Sequence, residues 1–126
     1  MRDNDFYSDM TVTELQAPAR RTSTTNGTGV DIRDYDGTLM AILTSSAGGG
    51  TSPTLDVKIQ DSADNSSFAD VTGLTFTQVT AAADATETIA INAPGLRRYV
   101  RSVSTIAGTS PTFDMAILLI GRKKSV

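Results

Sequence analysis

A ten-residue segment that occurs twice constrains this chain more than any other feature. Residues 50–59 read Gly-Thr-Ser-Pro-Thr-Leu-Asp-Val-Lys-Ile, and residues 108–117 read Gly-Thr-Ser-Pro-Thr-Phe-Asp-Met-Ala-Ile, so seven of the ten positions are identical. Gly and Pro favour a turn in both copies, because Gly relieves the steric limit on φ and Pro fixes φ and lacks a backbone donor. We therefore expect Pro53 and Pro111 to lie outside any central strand.

The residues that follow each proline are typical of a β-strand, because every second one is apolar. These alternating residues are Leu55, Val57 and Ile59 in the first copy and Phe113, Met115 and Ile117 in the second. A further apolar segment precedes each copy, at 38–44 and at 98–106. The pattern predicts that each copy is the loop of a β-hairpin and that the chain has two similar halves. The alternative is convergence on the common turn residues Gly, Ser, Thr and Pro.

The rest of the chain also favours strands over helices. Its 126 residues are rich in Thr, which suits strands better than helices, and show no apolar stripe of helical period. Short apolar segments separated by turn residues predict an all-β fold, an antiparallel β-sandwich that is jelly-roll-like or immunoglobulin-like. We expect residues 1–9 to form an N-terminal arm, 10–121 a single β-sandwich domain, and 122–126 a basic C-terminal tail.

The predicted strands differ in the chemistry of their two faces. They cover residues 10–16, 30–33, 38–44, 54–60, 68–71, 74–79, 86–91, 97–106 and 112–120, with a long loop at 17–29 and a hairpin turn at Thr72-Gly73. Strands 38–44 and 112–120 are apolar on both faces, which indicates central strands or strands covered by a partner. Strand 54–60 instead presents Asp56 and Lys58 to water, where strand 112–120 presents Ala116 and Leu118. The second half is therefore predicted to face a partner subunit and the first half to face solvent.

The composition argues against most enzymatic chemistry. The chain has no His and no Cys, which removes the usual general base, the thiol nucleophile and thiol metal sites. A Ser–Lys or carboxylate-only site remains formally possible, but no nucleophile, phosphate-loop or dinucleotide motif occurs. We therefore expect no enzyme and no cofactor.

Acidic clusters, net charge and hydropathy bear on ligands and partners. Asp31, Asp34 and Asp36 form one cluster, and Asp61, Asp64 and Asn65 form another. Ca²⁺ prefers such oxygens, but the spacing is not that of an EF-hand, and Asp and Asn also form turns. We therefore expect turns and no metal.

The net charge of −3 and the lack of a membrane-length apolar segment predict neither nucleic-acid nor membrane binding.

The basic residues and the chain ends are the other candidate contact sites. Arg97, Arg98 and Arg101 are expected to pair with this chain's own carboxylates or with those of a partner. Phe6 and Tyr7 are the large apolar side chains of the polar residues 1–9, and they dock either on a neighbour or on their own domain. The basic group Arg122, Lys123 and Lys124 either ends in solvent or contacts an acidic partner surface.

One segment and a later strand resemble those of a known group of proteins. Residues 55–71 combine a strand, a Gln, an acidic turn, a Phe and an Asp, and Arg98-Tyr-Val-Arg101 follows later. This order resembles small structural proteins of tailed bacteriophages, including capsid cement (decoration) proteins, over about residues 30–120. The resemblance implies a virion protein at the capsid surface, made in the host cytoplasm. Such a protein self-associates as a trimer or dimer and stabilises the head by bridging subunits of the major capsid protein.

Within this hypothesis, partner contacts are assigned to the two ends of the chain and to the last strand. The assigned residues are Phe6, Tyr7, Phe113, Leu118, Arg122, Lys123 and Lys124. Two alternatives remain open, a head–tail connector or tail component and a glycan-binding β-sandwich module. Glycan sites usually expose aromatic platforms, and a chain with no Trp, three Tyr and four Phe is poorly supplied with them.

Overall fold

The computed structural model describes residues 10–123, with backbone alone for Asp36 and Lys123, and its strands pair only in antiparallel fashion within this part of the chain. The strands are β1 (Met10–Arg21), β2 (Thr25–Asn26), β3 (Val30–Asp31), β4 (Tyr35–Ser45), β5 (Gly49–Ser62), β6 (Ala69–Thr75), β7 (Ala85–Asn92) and β8 (Tyr99–Lys123). A single 3₁₀ turn, Ala93–Gly95, connects β7 to β8. The all-β, jelly-roll-like prediction is confirmed.

Strand β8 organises the sheet because it contributes to both of its layers. Its second half pairs with β1 and β4, and β4 pairs with β7, which gives the strand order β1-β8-β4-β7 that we term the A layer. Its first half pairs with β5 on one side and with the short β2 and β3 on the other. With β6 beyond β5, this gives the order β6-β5-β8-β2/β3, termed the B layer. The layers form one sheet that is nearly closed as a barrel.

The inward side chains of both layers form one apolar core. The A layer contributes Leu39, Ala41, Leu43, Ile91, Phe113, Ile117 and Leu119, and the B layer contributes Leu55, Val57, Ile59 and Val100, all of them nearly or fully buried. The strand periodicity read from the sequence therefore selects the correct inward face in both copies of the repeat. Burial of these side chains supplies the main favourable term for folding.

The prediction that each repeat copy forms a hairpin is wrong. Strand β4, which precedes the first copy, pairs with the end of β8 and not with β5. The start of β8, which precedes the second copy, pairs with β5. Each copy therefore carries the chain from one layer to the other, so the strands before and after it lie in different layers.

The two copies lie side by side and are related by a local two-fold axis. Thr51 pairs with Thr109, Gly49 with Thr112 and Thr54 with Ala107. In the repeat, Gly49 corresponds to Ala107 and Thr54 to Thr112, so the last two pairs are equivalent to each other. The first pair joins two corresponding residues, Thr51 and Thr109, and is equivalent to itself. The backbone angles agree, because φ is 94° at Gly50 and 121° at Gly108, and 48° at Ser52 and 49° at Ser110. The prediction of two similar halves is confirmed.

Both prolines of the repeat lie within strands, contrary to expectation. The register shifts by one residue on either side of the Thr51–Thr109 pair, so each Ser-Pro pair bulges opposite the glycine of the other copy. A Cβ atom on Gly108 would lie 2.8 Å from the carbonyl oxygen of Ser52, and one on Gly50 would overlap the carbonyl oxygen of Ser110. A bulge interrupts the ladder of inter-strand hydrogen bonds, so a strand tolerates there a proline, which has no N–H to donate.

Three predicted boundaries also differ from the structure. Strand β1 continues through Pro18 to Arg21 across two register shifts, so the predicted loop at 17–29 is shorter and contains β2. The hairpin predicted at Thr72-Gly73 is wrong, because β6 runs through both residues and Gly73 (φ 85°) lies in a bulge. The backbone N–H of Phe76 then bonds to the oxygen of Val57 on the same partner strand. Strand β8 extends to Lys123, three residues beyond the last strand predicted at 112–120.

Candidate partner-binding surface

The outward side of the A layer, termed the A face, is an exposed apolar surface. The strand register places two rows across it: Val12, Ile120, Met40 and Ala90, and next to them Glu14, Leu118, Ile42 and Thr88. Six of these eight side chains are apolar. Val12 is 60% exposed and Met40 is 41% exposed, and they are the exposed large hydrophobic residues of the part that the structure describes.

The outward side of the B layer, termed the B face, is polar and internally bonded. Lys58 Nζ and Gln60 Nε2 both donate to the carboxylate of Asp70, over 3.1 and 2.8 Å. Arg101 Nε donates to Gln60 Oε1 over 2.9 Å, and its guanidinium lies 4.2 Å from the centre of the Phe68 ring. This face therefore satisfies its own charges and is suited to contact with water.

The local two-fold axis makes the two faces directly comparable. Advancing one repeat length from Lys58 and Gln60 on the B face leads to Ala116 and Leu118 on the A face. Lys58, Gln60 and Leu118 are half-buried, and Ala116 is buried. These two pairs of equivalent positions thus carry polar residues in the B layer and apolar residues in the A layer, as the sequence indicated, whereas the outward position before them is an exposed aspartate in both copies.

The predicted contact residues lie in three kinds of location. Leu118 is on the A face, and Arg122 is exposed near the end of β8. Lys123 is the last residue described, while Phe6, Tyr7 and Lys124 lie outside the described residues. The assignment of Phe113 to partner contact needs correction, because this side chain is fully buried in the core and a Cβ on Gly48 would lie 2.7 Å from its ring.

Sequence reasoning missed the three largest contributors to the first row, which are Val12, Met40 and Ile120. Their alternation was visible, but the row exists only because β1, β8 and β4 are neighbours in the A layer. An alternating pattern identifies the two faces of one strand but does not identify the adjacent strands.

Two arginines of the predicted basic group pair with the chain's own carboxylates. Arg97 NH2 lies 2.8 Å from Asp61 Oδ1, and Arg98 NH2 lies 2.8 Å from Asp31 Oδ2. Burial tends to raise the pKa of Asp61, but hydrogen bonds from the side chain and backbone N–H of Arg97 outweigh it and hold this pKa below its ordinary value of 3.8. Both arginines are therefore paired within the chain, which is one of the two expected outcomes.

The second acidic cluster is divided between a strand and a turn, because Asp61 lies in β5 and pairs with Arg97, whereas Asp64 holds the turn that follows. Asp64 Oδ1 accepts hydrogen bonds from the backbone N–H groups of Ser66 and Ser67, each over 3.0 Å, and Ser62 Oγ donates to it over 2.9 Å. The two backbone donors are the main reason that the pKa of Asp64 is lowered. Among the side chains that the structure describes, which do not include that of Asp36, no group of three or more acidic residues is placed to hold a metal ion. Residues 10–123 contain no helix able to cross a membrane.

Comparison with known proteins identifies the fold but no family. The chain matches no protein-family model and no curated protein. Solved structures that share its fold include the PBSX exported protein XepA, with a TM-score of 0.61 and 12% identity over 92% of this chain and 38% of that one. The infectious bursal disease virus VP2 subviral particle has a TM-score of 0.57 and 9% identity over 90% of this chain and 32% of that one. The SPBc2 prophage-derived protein YomS has a TM-score of 0.51 and 12% identity over 90% of this chain and 94% of that one. The chain thus spans about two fifths of XepA and a third of VP2, and at these identities the likeness concerns the fold alone.

Proposed function

We propose that this chain is a virion structural protein, a capsid cement (decoration) protein of a tailed bacteriophage. In this role it self-associates at the capsid surface and stabilises the head by bridging subunits of the major capsid protein. The observation that supports the proposal best is the A face, where apolar side chains from four strands meet on the outside of a small domain. Exposed contiguous apolar patches of this kind mark interaction sites in soluble proteins.

The fold comparisons support a structural role of this kind. The proteins that share the fold include the PBSX exported protein XepA, the prophage-derived protein YomS and the VP2 subviral particle of a virus. Together with the lack of His and Cys in the sequence, they favour a non-enzymatic function. They support the class of function, whereas the cement role rests on the A face and on the resemblance of residues 55–71 to phage structural proteins.

The chain ends supply the proposed contacts to the capsid. Met10 pairs with Arg122, so the first described residue and the end of β8 lie side by side at one end of the A layer. Any nine-residue segment spans at most about 30 Å when fully extended. We assign Phe6 and Tyr7 to apolar contacts with the capsid, and Arg122, Lys123 and Lys124 to an acidic patch of the capsid protein.

The copy number of the protein in purified particles tests the cement role. Quantitative mass spectrometry would compare its abundance with that of the major capsid protein. A cement protein is expected at the same order of abundance as the capsid subunits, because it occupies equivalent positions over the whole shell. An abundance near that of a single ring of subunits would contradict the proposal and favour a connector or tail component.

Deleting residues 1–9 tests the role of the N-terminal arm. Because a polar arm adds little to a core, the deletion should weaken binding to particles that lack the protein while leaving the melting temperature unchanged. Binding would be measured by co-sedimentation with those particles, and the melting temperature by calorimetry. Full binding after the deletion would contradict the assignment of Phe6 and Tyr7.

A further inference from the structure

We propose that the A face binds the A face of a second copy of this chain, so that two copies form a symmetric dimer. The inference deepens the proposed self-association and rests on it. It assigns that self-association to the A face and to two copies of the chain. The chemistry of the face, its size and its self-complementarity support the dimer.

The chemistry of the A face fits an interface better than contact with water. Its two central rows contain six apolar side chains and one charged one, Glu14. Charged residues are depleted at the centres of protein interfaces, and aliphatic and Met side chains fit them well. The B face provides an internal reference, because the repeat equivalent of Leu118 there is Gln60, which donates to Asp70 beside Lys58.

The size of the A face matches what a stable dimer needs. Four strands about 4.8 Å apart, paired over about 11 residues that rise about 3.4 Å each, give a face of roughly 700 Å². A standard interface buries about 800 Å² on each partner. The face also has the usual anatomy, since its apolar rows are followed at one end by the exposed ion pair of Arg20 and Asp114, whose atoms are 2.8 Å apart.

The two central rows are self-complementary, which favours a second copy over an unrelated partner. When the two-fold axis of the dimer runs parallel to the strands between β8 and β4, Ile120 of one copy packs on Met40 of the other. Leu118 of one copy likewise packs on Ile42 of the other. The same operation sets the strongly exposed Val12 against the small Ala90, which lines a groove of about 250 Å³ together with Met10, Met40 and Ile120. It also sets the one charged residue of the rows, Glu14, against Thr88, whose hydroxyl can donate a hydrogen bond to a carboxylate.

Sedimentation velocity on the full chain and two matched variants tests the dimer. The wild-type chain should sediment as a dimer at micromolar concentration. Met40→Asp buries an unpaired charge in the interface and should raise the dissociation constant at least tenfold. Thr105→Asp introduces the same charge at an exposed position on the outward side of the B layer and should leave the dissociation constant unchanged. Equal melting temperatures at a concentration where all three chains are monomeric would show that both variants fold.

Four outcomes would overturn the proposal. They are a monomeric wild-type chain, a wild-type trimer, a dimer that Met40→Asp leaves intact, and a dimer that Thr105→Asp weakens equally. A full chain that is monomeric but dimerises after removal of residues 1–9 would show that this segment covers the A face instead. Sedimentation of the isolated chain and its copy number in purified particles are independent measurements. A failed dimer and a failed virion role are therefore distinguishable.

Discussion

The A layer and the B layer have similar strand arrangements but present opposite chemistry to the outside. The chain passes from one layer to the other at the two repeat copies, which are related by the local two-fold axis and together are termed the crossing. On the B face, Lys58 and Gln60 are bonded to Asp70, whereas Ala116 and Leu118 occupy the equivalent positions on the A face. Inward positions must fit one shared core, so they are constrained in both layers. Outward positions are free to differ, and their difference distinguishes a solvent-facing layer from a layer suited to a partner.

In the crossing, by contrast, the two halves have the same sequence, Gly-Thr-Ser-Pro-Thr. The glycine of each copy makes room for the Ser-Pro bulge of the other copy. Any change to one copy therefore disturbs the other. This mutual dependence explains in physical terms why Gly-Thr-Ser-Pro-Thr is identical in both copies, whereas Lys58 and Gln60 have Ala116 and Leu118 as their equivalents.

The largest expected effect comes from filling the glycine positions of the crossing. Gly50→Ala and Gly108→Ala should each cost about 3 kcal/mol or more of the free energy of unfolding, because the new Cβ meets backbone of the other copy at a positive φ. Gly73→Ala is the matched control, since Gly73 also has a positive φ but no atom lies within 4 Å of a Cβ there. It should cost only about 1 kcal/mol, from backbone strain alone. Urea unfolding measures all three, and equal losses would contradict the close packing of the two copies.

A smaller effect is expected from two neighbouring leucines of β8. Leu119 is fully buried in the core, so Leu119→Ala should cost about 2–5 kcal/mol of stability. Leu118 points outward on the A face, so Leu118→Ala should cost less than about 1 kcal/mol and weaken dimerisation instead. Urea unfolding of the monomer and sedimentation separate the two effects. If Leu118→Ala proved as destabilising as Leu119→Ala, the assignment of inward and outward faces would be wrong.

The smallest effect concerns Asp61, which occupies in the B layer the position of Leu119 in the A layer. The pKa of Asp61 is lowered in the folded chain, so its pairing with Arg97 stabilises the fold above the ordinary pKa of 3.8. That contribution is lost as the pH falls through the folded pKa. Asp61→Asn should therefore lower the melting temperature at pH 7 and lower it much less at pH 2.5. A difference between the two chains that stays constant with pH would contradict a stabilising ion pair.

Much of the fold could be predicted from the sequence because it follows from local rules. Alternation identified Leu55, Val57 and Ile59 as inward, and the repeat identified the two similar halves. The crossing could not be predicted, because Gly and Pro indicate a change of direction without showing which strand the chain pairs with afterwards. Thr72-Gly73 misled in the same way, since a glycine with positive φ serves a bulge as well as a turn.

The candidate surface was only partly predictable for a related reason. Leu118 could be identified from its own strand, whereas Val12 and Ile120 become neighbours through a pairing between the two ends of the chain. Phe113 was assigned to partner contact because its strand is apolar on both faces, although the alternation places it with Met115 and Ile117 on the inward side. In this molecule the core residues follow from sequence periodicity, and the surface rows follow only from the register.

The contrast between the two faces is tested most directly by thiol labelling at one position on each. The chain has no cysteine, so Val12→Cys on the A face and Thr105→Cys on the B face each introduce one exposed thiol. The labelling rate would be measured for both variants from nanomolar to high micromolar protein. The labelling of Val12→Cys should slow as the concentration rises and the A face becomes covered, while that of Thr105→Cys should stay constant. Slowing at Thr105→Cys alone, or equal slowing at both positions, would contradict the assignment of the A face as the partner-binding surface.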